Sequence, residues 1–364
     1  MSITVKITKK LSRAFTLTLD FETGKDSCLG ILGPSGSGKS MTLKCIAGIE
    51  TPDEGFIAVD GRVLFDSSKK INLSPQERRV GYLFQNYALF PRMTVLENIA
   101  APMAARGLAA EDCRREAALW ISRFGLTGME NHYPRQLSGG QQQRTALARM
   151  LVCKPSAALF DEPFSALDST LREYMQLQLQ ELLRDKGDGD AISFRNAILV
   201  THNRDEVYRL CPELAVMASG AMLIKDTSDK VFQNPRFVNV ARLTGCKNIS
   251  PVRLLGDKEL FALDWGLRLR TAKPVDGVTH IGIRAHDLIP VDENSAPGFN
   301  EARVAVSKRS SEPFEEVVLF TNADAEDLPG QHQKEIWWKY SKYLKQQIPK
   351  RLFFPPESLL LLKE

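Results

Sequence analysis

Apolar and polar residues alternate with a period of two through FTLTLDF, residues 15–21, which predicts a strand with one buried face. The opening MSITVKITKK alternates in the same way. After the turn ETGKD comes the apolar run SCLGIL (27–32), a third strand, and GPSGSGKS then leads into the helical run MTLKCIAGI. GFIAVDGRVLF reads as a hairpin turning at Asp60-Gly61, and RVGYLFQ as a further strand. From Thr94 to about Phe124 the chain is rich in Ala, Leu, Glu and Arg and reads as helical. The helix opened by RQLSGGQQQR precedes the strand AALFDE, a helix from Ser169 to Arg184, the strand AILVTH and one more helix. Strands alternating with helices imply a largely parallel sheet covered on both faces. RDKGDGDAISFRNA, 184–197, reads as a surface loop. Beyond about Gly245 the texture changes to short strand-like runs, among them LFALDWGLRLR, VTHIGIRAHDLIPV and EVVLFTN, which fit a compact all-β domain of five or more strands.

Composition narrows the function classes. With 364 residues the chain has room for two or three domains, and its 43% hydrophobic and 25% charged content is that of a globular protein. A net charge of +4, with no long basic run or basic-aromatic stripe, makes nucleic acid a poor partner. No apolar stretch approaches the roughly 18–20 residues that cross a bilayer, and the start lacks the apolar core of a signal peptide. Cysteines 28, 45, 113, 153, 211 and 246 form no CxxC pair, so they read as small core residues of a reducing compartment.

The chemistry begins at GPSGSGKS. It fits G-x-x-x-x-G-K-[ST] at Gly33, Gly38, Lys39 and Ser40, after a strand and opening a helix, the context that gives the pattern meaning. Glycines let the loop Gly33, Pro34, Ser35, Gly36, Ser37, Gly38 wrap phosphates with its N–H groups turned inward. Lys39 is placed to reach the β- and γ-phosphates, and the Ser40 hydroxyl to ligate Mg²⁺. AALFDE puts Asp161 and Glu162 past the carboxyl end of a buried strand, where ligands of open α/β sheets lie. An aspartate there suits the outer shell of Mg²⁺, and the adjacent glutamate can activate water. Gln85 ends GYLF, where an amide can meet Mg²⁺ and the water; His202 ends AILVT, where an imidazole can meet the γ-phosphate. Each of these two, taken alone, equally suits a structural role.

One feature of the helix start RQLSGGQQQR resists a local account. Ser138 and Gln141 have the spacing of a capping box, but the two glycines between them cost roughly 1 kcal/mol each relative to alanine. Small residues at a helix N-terminus admit a phosphate to the bare N–H groups.

Taken in order, GPSGSGKS, Gln85, LSGGQ (137–141), FDE ending at Glu162, SALD (165–168) and TH at His202 resemble the ATPase subunit of an ATP-binding-cassette (ABC) transporter over residues 1–245. The resemblance implies a P-loop ABC cassette at 1–240, with a mainly parallel sheet, an antiparallel β subdomain and a helical subdomain at about 86–155, plus an all-β, OB-like accessory (TOBE/Mop-like) domain at 241–364. It implies a head-to-tail homodimer in which Ser138, Gly139, Gly140 and Gln141 of one copy meet the ATP held by the other. Glu162 would be the base, Asp168 would align the partner's site, and ATP with Mg²⁺ would be the ligands. It further implies permease subunits, an extracytoplasmic solute-binding protein, and a place on the cytoplasmic face of the membrane. Met41 departs from the family, which usually has a second hydroxyl residue there, and Asn203 stands where an aspartate is common. Phe15 is the candidate to stack on adenine, or it is a core residue at a strand start.

The finer resemblance is to importers of tetrahedral oxyanions of the molybdate type. It rests on the compact FTLTLDFE start, on VLFDSSKKINLSPQERRVGYLFQNYALFPRMTVLENI, and on TGCKNIS and IGIRAHDL in the final domain. Sulfate, iron, polyamine and sugar importers share most of these features. QNYALFPRM is either a groove for a permease helix or ordinary core at Tyr87, Leu89 and Phe90. Lys247, Asn248, Ser250 and Arg284 either offer oxyanion donors for sensing or form a polar β surface. A soluble ABC ATPase acting on DNA or ribosomes would bring a coiled-coil insertion, a second cassette or a basic face, and the sequence has none of these.

Overall fold

Cys28–Leu32 is buried at all five positions, because it lies inside a sheet of eleven strands with a neighbour on each side. The structure, a computed structural model, describes residues 2–165, 167–184, 196–292, 296, 298–324, 334–344 and 346–364. The loop expected at 184–197 lies outside the described residues except at its ends. Two compact units result, Met1–Asp229 and Lys230–Glu364.

The first unit runs β1 (Ile3–Lys10), β2 (Thr16–Glu22), β3 (Cys28–Leu32), α1 (Lys39–Ala47), β4 (Glu54–Val59), β5 (Arg62–Asp66), β6 (Ile71–Asn72), α2 (Pro75–Arg78) and β7 (Val80–Leu83). It continues through α3 (Val95–Ala104), α4 (Ala110–Arg123), α5 (Gly139–Leu151), β8 (Ala157–Asp161), α6 (Ser169–Arg184), β9 (Ala197–Thr201), α7 (Arg204–Leu210), β10 (Glu213–Ala218) and β11 (Ala221–Thr227). The sheet order is β6-β5-β4-β1-β2-β11-β10-β3-β9-β8-β7.

Only half of this sheet is parallel. β10, β3, β9, β8 and β7 run parallel to one another, whereas β1, β2, β4, β5 and β6 form an antiparallel ribbon. The connections decide this, since a two-residue turn makes only antiparallel neighbours and a parallel pair needs a crossover. Asp60 and Gly61 both have positive φ, 52° and 77°, as the tight β4–β5 hairpin requires. Along β2, Leu17, Leu19 and Phe21 point into the core while the residues between them are exposed. Their cluster continues through Ile3, Val5 and Ile7 to Leu43, Ile46, Ile198 and Val200, which joins the two halves of the sheet into one core.

Helix α1 packs on β7, β8 and β9. Its C-terminal carbonyls meet Arg78, which is wholly buried and donates through Nη1 to Cys45 O (2.7 Å) and Ile46 O (2.9 Å). The same guanidinium reaches Leu73 O and Asn72 Oδ1. Burial lowers the pKa of this cation, and the negative end of the helix dipole offsets its desolvation.

Helix α8 (Ser228–Gln233) spans the division, and the second unit continues with α9 (Val238–Leu243), β12 (Asn248–Gly256), β13 (Glu259–Ala262), β14 (Leu267–Arg270), β15 (His280–Ile283) and β16 (Ile289–Pro290). It ends with β17 (Glu301–Ser311), β18 (Glu315–Asn322), β19 (Ile336–Ser341), β20 (Arg351–Phe353) and β21 (Leu360–Leu362). They form two five-stranded sheets, β14-β13-β12-β15-β21 and β16-β20-β17-β18-β19, sharing a core around Trp265, Phe320, Trp338 and Phe354. The expected all-β C-terminal domain is therefore present.

Replacing Arg78 by Met keeps the volume but strips the carbonyls of α1 of their donors. We expect a loss of about 3 kcal/mol in stability, the cost of orphaning several buried acceptors, measured by urea unfolding of the purified chain.

Candidate functional site

Register places the site. Leu32 of β3 pairs with Thr201 of β9, Val200 with Asp161 of β8, and Phe160 with Leu83 of β7. Four parallel strands thus end at one edge, and the residues just beyond them, Gly33, His202, Glu162 and Gln85, emerge together.

The phosphate loop is set by sterics. A Cβ on Gly33 would fall 2.5 Å from Met217 O, and Gly38 takes φ 103°, a left-handed value that opens α1 without a side chain in the way. Lys39 is buried, and its ammonium donates to Gly33 O (2.8 Å) and Pro34 O (2.9 Å). Burial lowers the Lys39 pKa, against the opposing charges of Glu162 and Asp161. Pro34, Ser35 and Gly36 face solvent, whereas the Ser37 hydroxyl is buried with no protein partner. Met41 packs against the main core cluster and offers no hydroxyl to a phosphate, and Thr42 turns its own onto Gly38 O. Phe15 is half-buried, its ring 3.7 Å from where a Cβ of Gly38 would stand. The candidate stacking ring is thus beside the loop.

Asp161 is held from two sides. Ser40 Oγ donates to its Oδ1 (2.8 Å) and Tyr82 OH to its Oδ2 (2.8 Å). Sequence reasoning missed Tyr82. It stands inside an ordinary strand, and nothing in a period-two pattern shows that its hydroxyl reaches a carboxylate on the next strand. Among the described residues no group of three or more His, Cys, Asp or Glu could hold a metal unaided. A hydroxyl with one carboxylate behind it fits Mg²⁺, which keeps its waters and takes its remaining oxygens from phosphates.

Glu162 adopts φ 46°, a left-handed conformation that costs a non-glycine residue about 1–2 kcal/mol. Its N–H donates to Val200 O (2.9 Å), and its carbonyl accepts from Ser165 Oγ (3.0 Å). The turn aims its carboxylate at two partners, Gln85 Nε2 at Oε2 (3.2 Å) and His202 Nδ1 at Oε1 (3.2 Å). The three residues expected to surround water and γ-phosphate therefore converge. Asn203 caps α7, accepting from the N–H groups of Asp205 and Glu206.

At the second glycine pair, the capping box forms. Gln141 N–H donates to Ser138 Oγ (3.3 Å), and Ser138 N–H to Gln141 Oε1 (2.8 Å). The two glycines then differ. A Cβ on Gly140 would meet Leu171 Cδ2 at 2.7 Å, so close packing against α6 accounts for it. A Cβ on Gly139 would meet only Leu167 at an ordinary 3.6 Å, so the chain's own fold does not require this glycine. Asp168 accepts from Leu171 N–H (3.0 Å) at the start of α6.

The segment after Gln85 resolves the choice between groove and core residue by residue. Tyr87 is buried and Phe90 is 46% exposed. Arg149 fixes the segment, donating to Tyr87 O and Ala88 O and lying 5.1 Å from the centre of the Phe90 ring. Asn98, fully buried, donates to Phe90 O, Met93 O and Thr94 O. Beside it opens an apolar groove of about 580 Å³, lined by Tyr82, Phe84, Phe90, Ala101, Pro102 and Met150 among others. Leu89 is partly buried.

In the second unit the proposed oxyanion donors are already engaged. Asn248 exchanges both amide groups with the Trp337 backbone, Ser250 Oγ bonds Pro251 O and Asp264 N–H, and Arg284 donates to Thr244 O and Phe232 O. Lys247 lies 6.0 Å from the Trp337 ring centre. These bonds tie Asn248 to β19, Ser250 to the turn after β13, and Arg284 to α8 and the end of α9, which favours the structural alternative for these three.

Residues 17–165 match the family described as ABC transporter. The sulfate/thiosulfate import ATP-binding protein CysA 2 of Rhizobium meliloti (strain 1021) is 37% identical over 280 residues, covering 76% of this chain and 72% of that one. The spermidine/putrescine import ATP-binding protein PotA of Nitrosospira multiformis is 34% identical, with 81% and 75% covered. Among solved structures, a dimeric post-hydrolysis state of the ATP-binding cassette MJ0796 bound to ADP and Pi superposes with a TM-score of 0.52 at 28% identity, covering 63% of this chain and 99% of that one.

The two glycines of the capping box separate experimentally. Gly140→Ala should lower stability by about 1 kcal/mol or more through overpacking against Leu171. Gly139→Ala should leave stability unchanged or raise it by up to about 1 kcal/mol. Thermal unfolding of both variants measures the difference.

Proposed function

The chain belongs to the ATP-binding subunits of ABC importers, and we propose that the solute it energises is a tetrahedral oxyanion, sulfate ahead of molybdate. It is an ATPase coupled to transport, using ATP with Mg²⁺. The oxyanion reading is supported by sulfate/thiosulfate relatives aligned over most of both chains. Molybdate, suggested by the compact start and the final domain, is the second candidate. Polyamine and trimethylamine N-oxide relatives mark the alternatives. In this reading residues 1–240 are the cassette and 241–364 the accessory domain. The chain works at the cytoplasmic face of the membrane with permease subunits and an extracytoplasmic solute-binding protein.

The observation that carries the catalytic assignment is the convergence of Gln85 and His202 on the carboxylate of Glu162, each at 3.2 Å. Bound Mg²⁺ would supply charge compensation to the phosphates, held by Ser40 with Asp161 behind it. Lys39 and the loop from Gly33 to Gly38 hold the phosphates. Glu162 accepts the proton of the attacking water, and its two partners keep the carboxylate from rotating away. Ser138, Gly139 and Gln141 of a second copy close over the γ-phosphate. The ligand thereby binds the closed dimer better than the open one, and hydrolysis removes that preference. Gly139, which the fold does not require, supports this role across the interface. Asp168, at the N-terminus of α6, aligns the same interface, and Phe15 stacks on adenine. A permease helix seats in the groove beside Phe90.

Glu162→Gln should bind ATP, accumulate as a dimer by light scattering, and lose turnover by about 10²–10⁴-fold; undiminished turnover rules out the base assignment. Phe90→Ala should keep basal hydrolysis while weakening capture by the permease in a detergent pull-down. Cells lacking this gene should lose uptake of labelled sulfate. Loss of molybdate uptake alone would reverse the order of cargoes, and loss of neither would end the oxyanion reading.

A further inference from the structure

We propose that Tyr82 is a positioning residue for Asp161 and ties that carboxylate to the apolar groove. The inference rests on the reading of Asp161 as the carboxylate behind Mg²⁺. Both oxygens of Asp161 are taken, one by Ser40 from α1 and the other by Tyr82 from β7, each at 2.8 Å. The two donors differ in what they can do. Ser40 itself is a metal ligand in this reading, so its hydroxyl is shared between ion and carboxylate. Tyr82 has no such competing task, and its hydroxyl fixes the rotation of the carboxylate whether or not an ion is bound. Outer-sphere partners of this kind set the orientation of the groups that face a metal.

The same side chain has a second surface. It lines the groove and rests against Phe84, with ring centres 4.4 Å apart, and it also packs on the main core cluster. A tyrosine joins an apolar body to a polar tip, and here the body faces the groove while the tip faces the metal side. An object pressed into the groove bears on the ring, and the ring has one polar contact through which to pass a displacement. Gln85 stands two residues beyond the end of the same strand and donates to Glu162. Tyr82 acts on Asp161, so the two routes are chemically separable.

The test uses the full chain and titrates Mg²⁺ against binding of a fluorescent ATP analogue. Tyr82→Phe removes the hydroxyl and keeps the ring. It should raise the half-saturating Mg²⁺ concentration by about tenfold, leave analogue affinity in EDTA unchanged, and leave the melting temperature within a few degrees. Asp161→Asn should raise the Mg²⁺ requirement at least as much. A wild-type titration for Tyr82→Phe beside a shifted Asp161→Asn overturns the proposal for Tyr82 alone. Wild-type titrations for both remove the Asp161 reading and the proposal with it. Should Tyr82→Phe not fold, Tyr82→Met is read by the same criteria. For the link to the groove, Ala101→Trp fills the groove from α3. It should change the Mg²⁺ requirement in the wild-type background and not in Tyr82→Phe; an effect that is absent, or equal in both backgrounds, overturns the link.

Discussion

The site depends on the register of four parallel strands. Because Leu32 pairs with Thr201, Val200 with Asp161, and Phe160 with Leu83, the phosphate loop, the two carboxylates, Gln85 and His202 leave the sheet at one edge. A slip of one residue in β8 would turn Asp161 and Glu162 to opposite faces. The apolar strands resist that slip, since β3, β8 and β9 are buried along their whole length. The left-handed turn at Glu162 is affordable only on such a base. The strain is local, and the surrounding hydrogen bonds to Val200 and Ser165 hold it.

Across the first unit the chain repeats one device, a polar side chain that gathers backbone groups from a neighbouring segment. Arg78 takes the carbonyls at the end of α1, Arg149 those of Tyr87 and Ala88, and Asn98 those of Phe90, Met93 and Thr94. Each joins a helix or short turn to a segment that has no ladder of its own. In this way the loop after Gln85, with positive φ at Tyr87 and Ala88, acquires a fixed shape beside the groove. The groove is thus a property of the fold, present before any partner arrives.

Much of this was legible in the residues. The phosphate loop, Asp161 and Glu162 at the end of a buried strand, the capping box at Ser138 and Gln141, and the hairpin at Asp60-Gly61 are local patterns. In each, chemistry and spacing within a few residues carry the meaning. The sheet joins the expected parallel strands to the expected antiparallel subdomain, which the short turns of the first seventy or so residues build. Lys247, Asn248, Ser250 and Arg284 suited an anion by residue type, yet Asn248 and Arg284 spend their donors on backbone carbonyls far away in sequence and Ser250 on that of its neighbour Pro251. Tyr82 carried no signal at all.

The sequence by itself determined the kind of ligand, since phosphate binding needs glycines, a lysine and a hydroxyl in fixed order along one short loop. It also determined that the chain ends in strands rather than helices. Tertiary structure decided which contacts are made between segments distant in the chain: Tyr82 with Asp161, Gln85 and His202 with Glu162, and Gly140 with Leu171. It likewise decided that Gly139 has room for a Cβ, which would meet Leu167 only at an ordinary 3.6 Å. These follow from strand order and register, which arise from burying many apolar residues at once and are written in no single stretch of the chain.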